Sequence, residues 1–110
     1  MLRGYSRERT SVHNLHYHYV WCPEYRKPVL TDEVADRLEQ LIEEKADELN
    51  LDILRLAVQS DHVHLFITGD PKLAPNKIIQ QVKGYTSRNL REEFDFGLPS
   101  LWTRSYFVSS

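Results

Sequence analysis

Residues 51–68, LDILRLAVQSDHVHLFIT, decide the fold. Apolar and polar residues alternate on both sides of Ser60-Asp61, a dipeptide with turn chemistry, so the stretch predicts a hairpin of two strands over 51–59 and 62–68. Side chains two residues apart leave the same face of a strand. The inward face is therefore expected to carry Leu54, Leu56 and Val58 on the first strand and Val63, Leu65 and Ile67 on the second.

The segments on either side of the hairpin supply the remaining elements. Residues 15–22, LHYHYVWC, are rich in aromatic and β-branched residues at period two, which predicts a strand that Pro23 ends. Thr31 is a candidate N-cap for a helix over about 31–50, whose apolar positions are Val34, Leu38, Leu41, Ile42 and Leu49. A break at residues 69–71 precedes a second predicted helix over about 73–93 and a last strand over 102–108.

The predicted order of elements is β-α-β-β-α-β. This order is typical of the ferredoxin-like split βαβ fold, an α+β class in which both helices cover one face of an antiparallel sheet. In this topology the first and third strands are central neighbours, and the second face of the sheet stays open. The 110 residues contain no internal repeat and no low-complexity linker, so a single domain over 1–110 is expected.

Composition excludes several classes of protein. With 41% hydrophobic and 27% charged residues, the chain has a globular balance that rules out a disordered, collagen-like or disulfide-stapled protein. No apolar run approaches the roughly 20 residues of a membrane helix, and the single Cys22 can form no internal disulfide. A soluble protein of the reducing cytoplasm, without a membrane partner, is therefore expected.

The net charge of -2 conceals an uneven distribution. Nine acidic and two basic residues fall between Asp32 and Asp52, whereas the rest of the chain carries a surplus of five positive charges. The acidic segment is expected to form the solvated outer face of the first helix. The mildly basic remainder means that the net charge does not exclude a nucleic-acid partner.

A pair of histidines marks the second strand of the hairpin. His62 and His64 are two residues apart, so both imidazoles are expected on the open face of the sheet while Val63 points to the helices. Such a pair can supply two ligands to a divalent cation, and Asp61 could bind the metal or fix the tautomer of an imidazole. The alternative is a pair of polar residues on the wet side of a half-buried strand.

His16 and His18 repeat this spacing on the first strand, which the fold puts beside the third. If both share the open face, they join His62 and His64 in a cluster of four imidazoles and could support the metal ligands. Alternatively, they are hydrogen-bonded core residues among aromatic side chains. The sequence leaves both interpretations open.

The second helix carries a row of basic residues. One stripe opposite its apolar face contains Lys77, Gln81, Gly84, Arg88 and Arg91. Its cations could contact the phosphates of a nucleic acid, and its glycine lets another backbone approach closely. Arg26 and Lys27, just after the first strand, are weaker candidates for the same role. An ordinary solvated helix face is the alternative.

Four stretches of the chain together resemble a known family. They are residues 17–26 (YHYVWCPEYR), 61–64 (DHVH), 83–88 (KGYTSR) and 98–107 (LPSLWTRSYF). In this order and spacing they resemble the single-tyrosine HUH transposases of the smallest insertion sequences, which include the IS200-like and REP-associated tyrosine transposases. The resemblance runs from about residue 14 to the end of the chain.

The resemblance implies a homodimeric enzyme that binds a hairpin in single-stranded DNA and cuts and rejoins that strand without a nucleotide cofactor. His62 and His64 match the two histidines of the family's metal motif, which hold Mg²⁺ or Mn²⁺ over the scissile phosphate. A tyrosine then attacks, which leaves a 5′-phosphotyrosine link and a free 3′-OH. Such an enzyme acts on the nucleoid in the cytoplasm of a prokaryote.

The resemblance also implies that the nucleophilic tyrosine lies on a helix after the last strand, beyond Ser110. No tyrosine of this sequence matches that position, and core packing is the default interpretation of Tyr17, Tyr19, Tyr85 and Tyr106. Residues 1–110 are therefore expected to lack the helix that carries the nucleophile and to be inactive in cleavage by themselves.

Three functions are consistent with these features. The first is a metal-dependent DNA strand-transfer enzyme whose nucleophile lies beyond residue 110. The second is a DNA-binding module of the same fold without catalysis. The third is a ferredoxin-like domain that binds a small regulatory ligand, in which case the histidine pair has no explanation.

Overall fold

The computed structural model describes residues 15–110. Its strands are β1 (His16–Trp21), β2 (Ile53–Gln59), β3 (His62–Thr68) and β4 (Phe107–Ser109), and its helices are α1 (Asp32–Glu48) and α2 (Pro75–Glu93). A short 3₁₀ turn, Glu24–Arg26, follows β1. The strands form one antiparallel sheet in the order β2-β3-β1-β4. The ferredoxin-like α+β fold is confirmed, with the first and third strands as central neighbours.

The core lies between the helices and one face of the sheet. Alternation on the two central strands sends Tyr19 and Trp21 of β1, and Val63, Leu65 and Ile67 of β3, into this layer, where all five are buried. The helices contribute their apolar stripes, including Leu38, Leu41, Ile42, Ile78, Ile79 and Val82. Because the buried apolar residues turn to one side, the histidines that alternate with them stand on the uncovered side of the sheet.

One inward position of β2 differs from the prediction. A β-bulge interrupts the pairing of β2 with β3 between Ile53 and Arg55. The extra residue, Leu54, is 43% exposed, and Ile53 takes its place in the core beside Leu56. A bulge adds one residue to one strand only, so the simple alternation that assigned Leu54 to the inside fails before the bulge and holds after it.

The last strand is much shorter than the predicted 102–108. Trp102 forms one isolated bridge with Pro23, and regular pairing with β1 is confined to Phe107–Ser109. Between them, the Lys83 ammonium on α2 donates to the carbonyl oxygens of Thr103, Arg104 and Ser105, at 2.7, 3.4 and 3.3 Å. These carbonyls bind a side chain of the helix, so they are not available for a strand ladder.

The helices begin and end close to their predicted limits. Pro75 stands at the first position of α2, where a missing N–H costs nothing and where it drives Ala74 into an extended conformation. The helix therefore starts at 75 and not at 73. Thr31 occupies the N-cap position of α1 as expected, but its side chain makes no capping hydrogen bond. Within residues 15–110, neither helix has the apolar length that a membrane crossing requires.

Candidate functional site

The two hairpin histidines lie side by side on the open face of the sheet. In the register of β3, His62 lies opposite Gln59 of β2, and His64 lies between Ala57 of β2 and Val20 of β1. The centroids of the two imidazole rings are 4.9 Å apart. The period-two spacing in the sequence thus brings both rings to one place, as expected for a pair of metal ligands.

A carboxylate holds His62 in one orientation. Oδ1 of Asp61 lies 2.7 Å from Nδ1 of His62, and Oδ2 of the same group lies 3.3 Å from Nη2 of Arg26. The hydrogen bond from His62, and after it the charge of Arg26, lowers the pKa of Asp61. An ionised carboxylate at Nδ1 keeps the proton on that nitrogen and leaves Nε2 of His62 as the ligating atom.

His64 is held by a third imidazole. Nδ1 of His64 lies 3.3 Å from Nε2 of His18, and the two rings stack with centroids 5.4 Å apart. Burial, and then the neighbouring His62 and His18, lowers the pKa of His64. The neutral form, which is the one that binds metals, is therefore favoured, and Nε2 of His64 remains free of this contact.

The four imidazoles do not form one cluster. His64 contacts both His18 and His62, whereas His16 packs its ring against Phe66 with centroids 5.0 Å apart. All four lie on the open face, and none is among the buried core residues. In the part of the chain that the structure describes, no group of three or more His, Cys, Asp or Glu side chains is arranged to hold a metal ion. The pair His62–His64 is thus a two-ligand arrangement.

The basic stripe lies on the other side of the molecule. α2 turns Ile78, Ile79 and Val82 to the core, and the exposed side of the helix carries Lys77, Gln81, Gly84, Arg88 and Arg91. The sheet therefore separates the stripe from the imidazoles. Of the two weaker candidates, Arg26 pairs with Asp61 and so belongs to the imidazole site, while Lys27 is exposed beside it.

The described tyrosines differ in their position relative to the imidazole pair. Tyr19 is buried and donates to the carbonyl oxygen of Pro75 at 2.7 Å, and its burial raises the pKa of the phenol. Tyr85 donates to Glu44 at 2.6 Å, across the two helices. Tyr106 packs near Tyr19 and the Lys83 ammonium, and it also lines the cleft of about 560 Å³ that contains His62 and His64. Tyr25, on the 3₁₀ turn, is 77% exposed.

Two further residues of the open face were not predicted from the sequence. Arg55 and Phe66 are paired in register, one row along the sheet from His64. The signal that could have found them is the same alternation, because Phe66 is two residues after His64 and therefore shares its face. The link between Arg26 and Asp61 is a contact over 35 positions that no local pattern indicates.

Comparisons with known proteins agree with this geometry. The profile of the family described as "Transposase IS200 like" matches residues 11–110. The chain is 34% identical over 113 residues to the ISDra2 transposase TnpA of Deinococcus radiodurans, covering 96% of this chain and 75% of the relative. It is 26% identical over 102 residues to the IS200 transposase of Salmonella typhimurium, covering 88% of this chain and 67% of the relative.

Solved structures show the same fold. A crystal structure from Deinococcus radiodurans R1, of a protein assigned as a transposase, superimposes with a TM-score of 0.84 at 32% identity and covers 96% of this chain and 85% of that one. A REP-associated tyrosine transposase, solved bound to a REP hairpin, has a TM-score of 0.67 at 15% identity, with 96% and 61% covered. The family profile and the relatives lead to one assignment: the chain belongs to the IS200-like transposase family.

Proposed function

We propose that this transposase chain cuts and rejoins single-stranded DNA at hairpin-bearing ends, with His62 and His64 holding Mg²⁺ or Mn²⁺ over the scissile phosphate. The observation that carries the proposal is the imidazole pair. Nδ1 of His62 contacts Asp61 and Nδ1 of His64 contacts His18, so the Nε2 atom of each ring remains available to bind a metal. The family assignment favours this function over a regulatory domain for a small ligand.

The donor set fits a divalent cation in part. Two imidazoles suit Mn²⁺ better than Mg²⁺, which prefers oxygen ligands, and both metals need further ligands from phosphate, water or another side chain. When bound, the cation would neutralise charge on the scissile phosphate. The chain's own residues orient this pair: Asp61 fixes the His62 ring, and Arg26 fixes Asp61.

The proposed nucleophile is a tyrosine from a segment beyond Ser110. Its oxygen forms a bond to phosphorus as the bond from phosphorus to the 3′ oxygen breaks, which gives a 5′-phosphotyrosine and a free 3′-OH. Two described tyrosines support this proposal, because Tyr19 and Tyr85 donate their hydroxyl groups to Pro75 and Glu44 in the helical layer, away from the imidazole pair. Tyr106 lines the cleft of the imidazole pair, so the cleavage assay below tests it directly. Tyr5 lies outside the described residues.

The basic stripe of α2 is the proposed contact for the DNA backbone. The structural relative bound to a REP hairpin supports a hairpin as the partner of this chain as well. Because the sheet lies between the stripe and the imidazoles, a single DNA molecule that contacts both must pass around an edge of the sheet. We propose that the duplex stem binds the helical side and that the unpaired strand reaches the open face.

A homodimer is also proposed. Among residues 15–110, β4 pairs only with β1 and stands at an edge of the sheet, and its Phe107 is 61% exposed. An exposed apolar residue on a free sheet edge favours association with another chain. A second copy would cover this edge.

Gly84 provides a test of the stripe. A Cβ added at Gly84 would meet no atom within 4 Å, so nothing inside the molecule requires glycine there. Gly84→Ala is expected to stabilise the exposed helix by about 1 kcal/mol and at the same time to weaken hairpin binding, because the methyl group keeps the phosphate backbone away. Urea denaturation and fluorescence anisotropy measure the two effects. Tighter or unchanged DNA binding in the stabilised variant would contradict the assignment of the stripe.

A cleavage assay on residues 1–110 tests the position of the nucleophile. We expect the purified chain to bind a DNA hairpin with unpaired tails in a native gel, and to give no covalent adduct with it in Mn²⁺ after denaturing electrophoresis. Binding without an adduct supports a nucleophile outside this chain. An adduct that disappears in Tyr25→Phe, Tyr85→Phe or Tyr106→Phe would place the nucleophile inside it. Failure to bind the hairpin would contradict the proposed function itself.

A further inference from the structure

We propose that the open face of the sheet carries a nucleotide subsite next to the imidazole pair, in which a base of single-stranded DNA stacks on Phe66 while its phosphate binds Arg55. The inference rests on the proposed function, because it assigns the strand that flanks the scissile phosphate to a particular surface. None of the sequence motifs indicates a recognition site at this surface.

The subsite is a cleft of about 420 Å³. Its walls come from the three adjacent strands β2, β3 and β1, and its lining consists of His18, Arg55, Ala57, His64 and Phe66. Arg55 lies opposite Phe66 in the register of β2 and β3, and Ala57 lies opposite His64. The small side chain of Ala57 leaves room between the guanidinium, the phenyl ring and the imidazoles.

Phe66 supplies an aromatic surface that the core does not use. Its neighbours in sequence, Leu65 and Ile67, are buried on the helical side, whereas Phe66 is half-buried on the open side. The rings of His16 and His18 stand nearly perpendicular to it, at interplanar angles of 79° and 86°. Bases of every type stack on such aromatic side chains, which is how proteins hold single strands without reading their sequence.

Arg55 supplies the charge. Its side chain is exposed, and within residues 15–110 it has no ion pair or hydrogen bond. No carboxylate is among the side chains that line the cleft. A planar guanidinium with all its donors available is suited to the bidentate binding of a phosphate. The cleft thus combines an aromatic surface with an anion-binding group, as an unpaired nucleotide requires.

The subsite is continuous with the imidazole pair. His64 lines this cleft and also a second one of about 560 Å³, whose lining includes His62 and Arg26. Phe66 is two residues beyond His64, which is about 7 Å along the strand. A single strand whose scissile phosphate lies at His62 and His64 can therefore place its neighbouring nucleotide over Phe66.

The test measures single-strand binding without metal and without cleavage. Fluorescence anisotropy of a labelled, hairpin-bearing strand with unpaired tails gives the Kd for the wild-type chain and for Phe66→Leu, which keeps an apolar side chain but loses the ring. We expect binding about tenfold weaker in Phe66→Leu and nearly unchanged in Phe66→Trp. Leu54→Ala is the matched control, because Leu54 is an exposed apolar residue of β2 outside the cleft.

A strand with one abasic position identifies the stacked base. When the abasic position falls at the subsite, the wild-type chain should lose about tenfold in affinity, and Phe66→Leu should lose nothing more. Arg55→Gln should lower the slope of log K against log salt concentration by about 0.7, and Arg55→Lys should restore most of it.

The outcomes separate the two proposals. If the wild-type chain does not bind the strand, the proposed function fails. If it binds and neither Phe66→Leu nor Arg55→Gln differs from Leu54→Ala, the subsite is overturned while the proposed function stands. Equal losses in Phe66→Leu and Leu54→Ala would assign the effect to stability and also overturn the subsite, and thermal melting of each variant identifies that case.

Discussion

His62→Ala and His64→Ala are each expected to abolish Mn²⁺ binding at the imidazole pair and, in a form that includes the nucleophilic segment, to abolish strand cleavage. One remaining imidazole cannot fix a cation over the phosphate, because the described residues contain no group of three or more His, Cys, Asp or Glu side chains arranged to replace the lost ligand. The fold should be unaffected, since both side chains stand on the open face. Isothermal titration with Mn²⁺ and a cleavage gel measure the two losses.

Two further variants make this test specific. Asp61→Asn should weaken Mn²⁺ binding by about 10- to 100-fold, because it removes the anion that fixes the His62 ring. Gln59→Ala should have no effect, although Gln59 lies directly opposite His62 on the neighbouring strand. Unchanged Mn²⁺ affinity and cleavage in the double variant His62→Ala/His64→Ala would refute the metal assignment.

Removing the three cations of the stripe should weaken DNA binding and make it less sensitive to salt. Each phosphate contact contributes about 0.9 to the slope of log K against log salt on duplex DNA, so Lys77→Ala/Arg88→Ala/Arg91→Ala should lower that slope by about 2.7. All three side chains are exposed, and the variant should therefore fold normally. Anisotropy titrations of a hairpin at several salt concentrations give the slope.

The matched control lies on the same helix. Asn76→Ala/Gln80→Ala changes two exposed polar residues of α2 without changing the charge, and its salt slope should equal that of the wild-type chain. An identical slope in the triple variant would mean that the stripe is an ordinary solvated surface. The stem of the hairpin would then have to bind elsewhere on the chain.

The sequence by itself determined the layer structure and the histidine pair. In β3 a strict period of two separates Val63, Leu65 and Ile67 from His62 and His64, and that separation holds in any sheet that buries one face. The apolar stripes of the two helices and the order of elements likewise depend on local patterns. For this reason the fold class could be predicted without coordinates.

The tertiary structure decided which groups meet. The register of β1 against β3 stacks His18 on His64 and leaves His16 against Phe66, although both histidines have the same local pattern. The alternation of apolar residues fixes which face of each strand is buried, but a shift of two residues between strands preserves that alternation. The local pattern therefore does not decide which histidine lies beside His64.

The same reason accounts for the remaining differences. Arg26 reaches Asp61 across 35 positions, Lys83 takes up the carbonyls that a longer β4 would need, and the bulge at Leu54 exchanges an inward residue for its neighbour. Each of these contacts satisfies a polar group or fills the core only after the sheet and helices have assembled. The sequence therefore determined the chemistry that the open face carries, and the packing of distant segments determined how that chemistry is arranged.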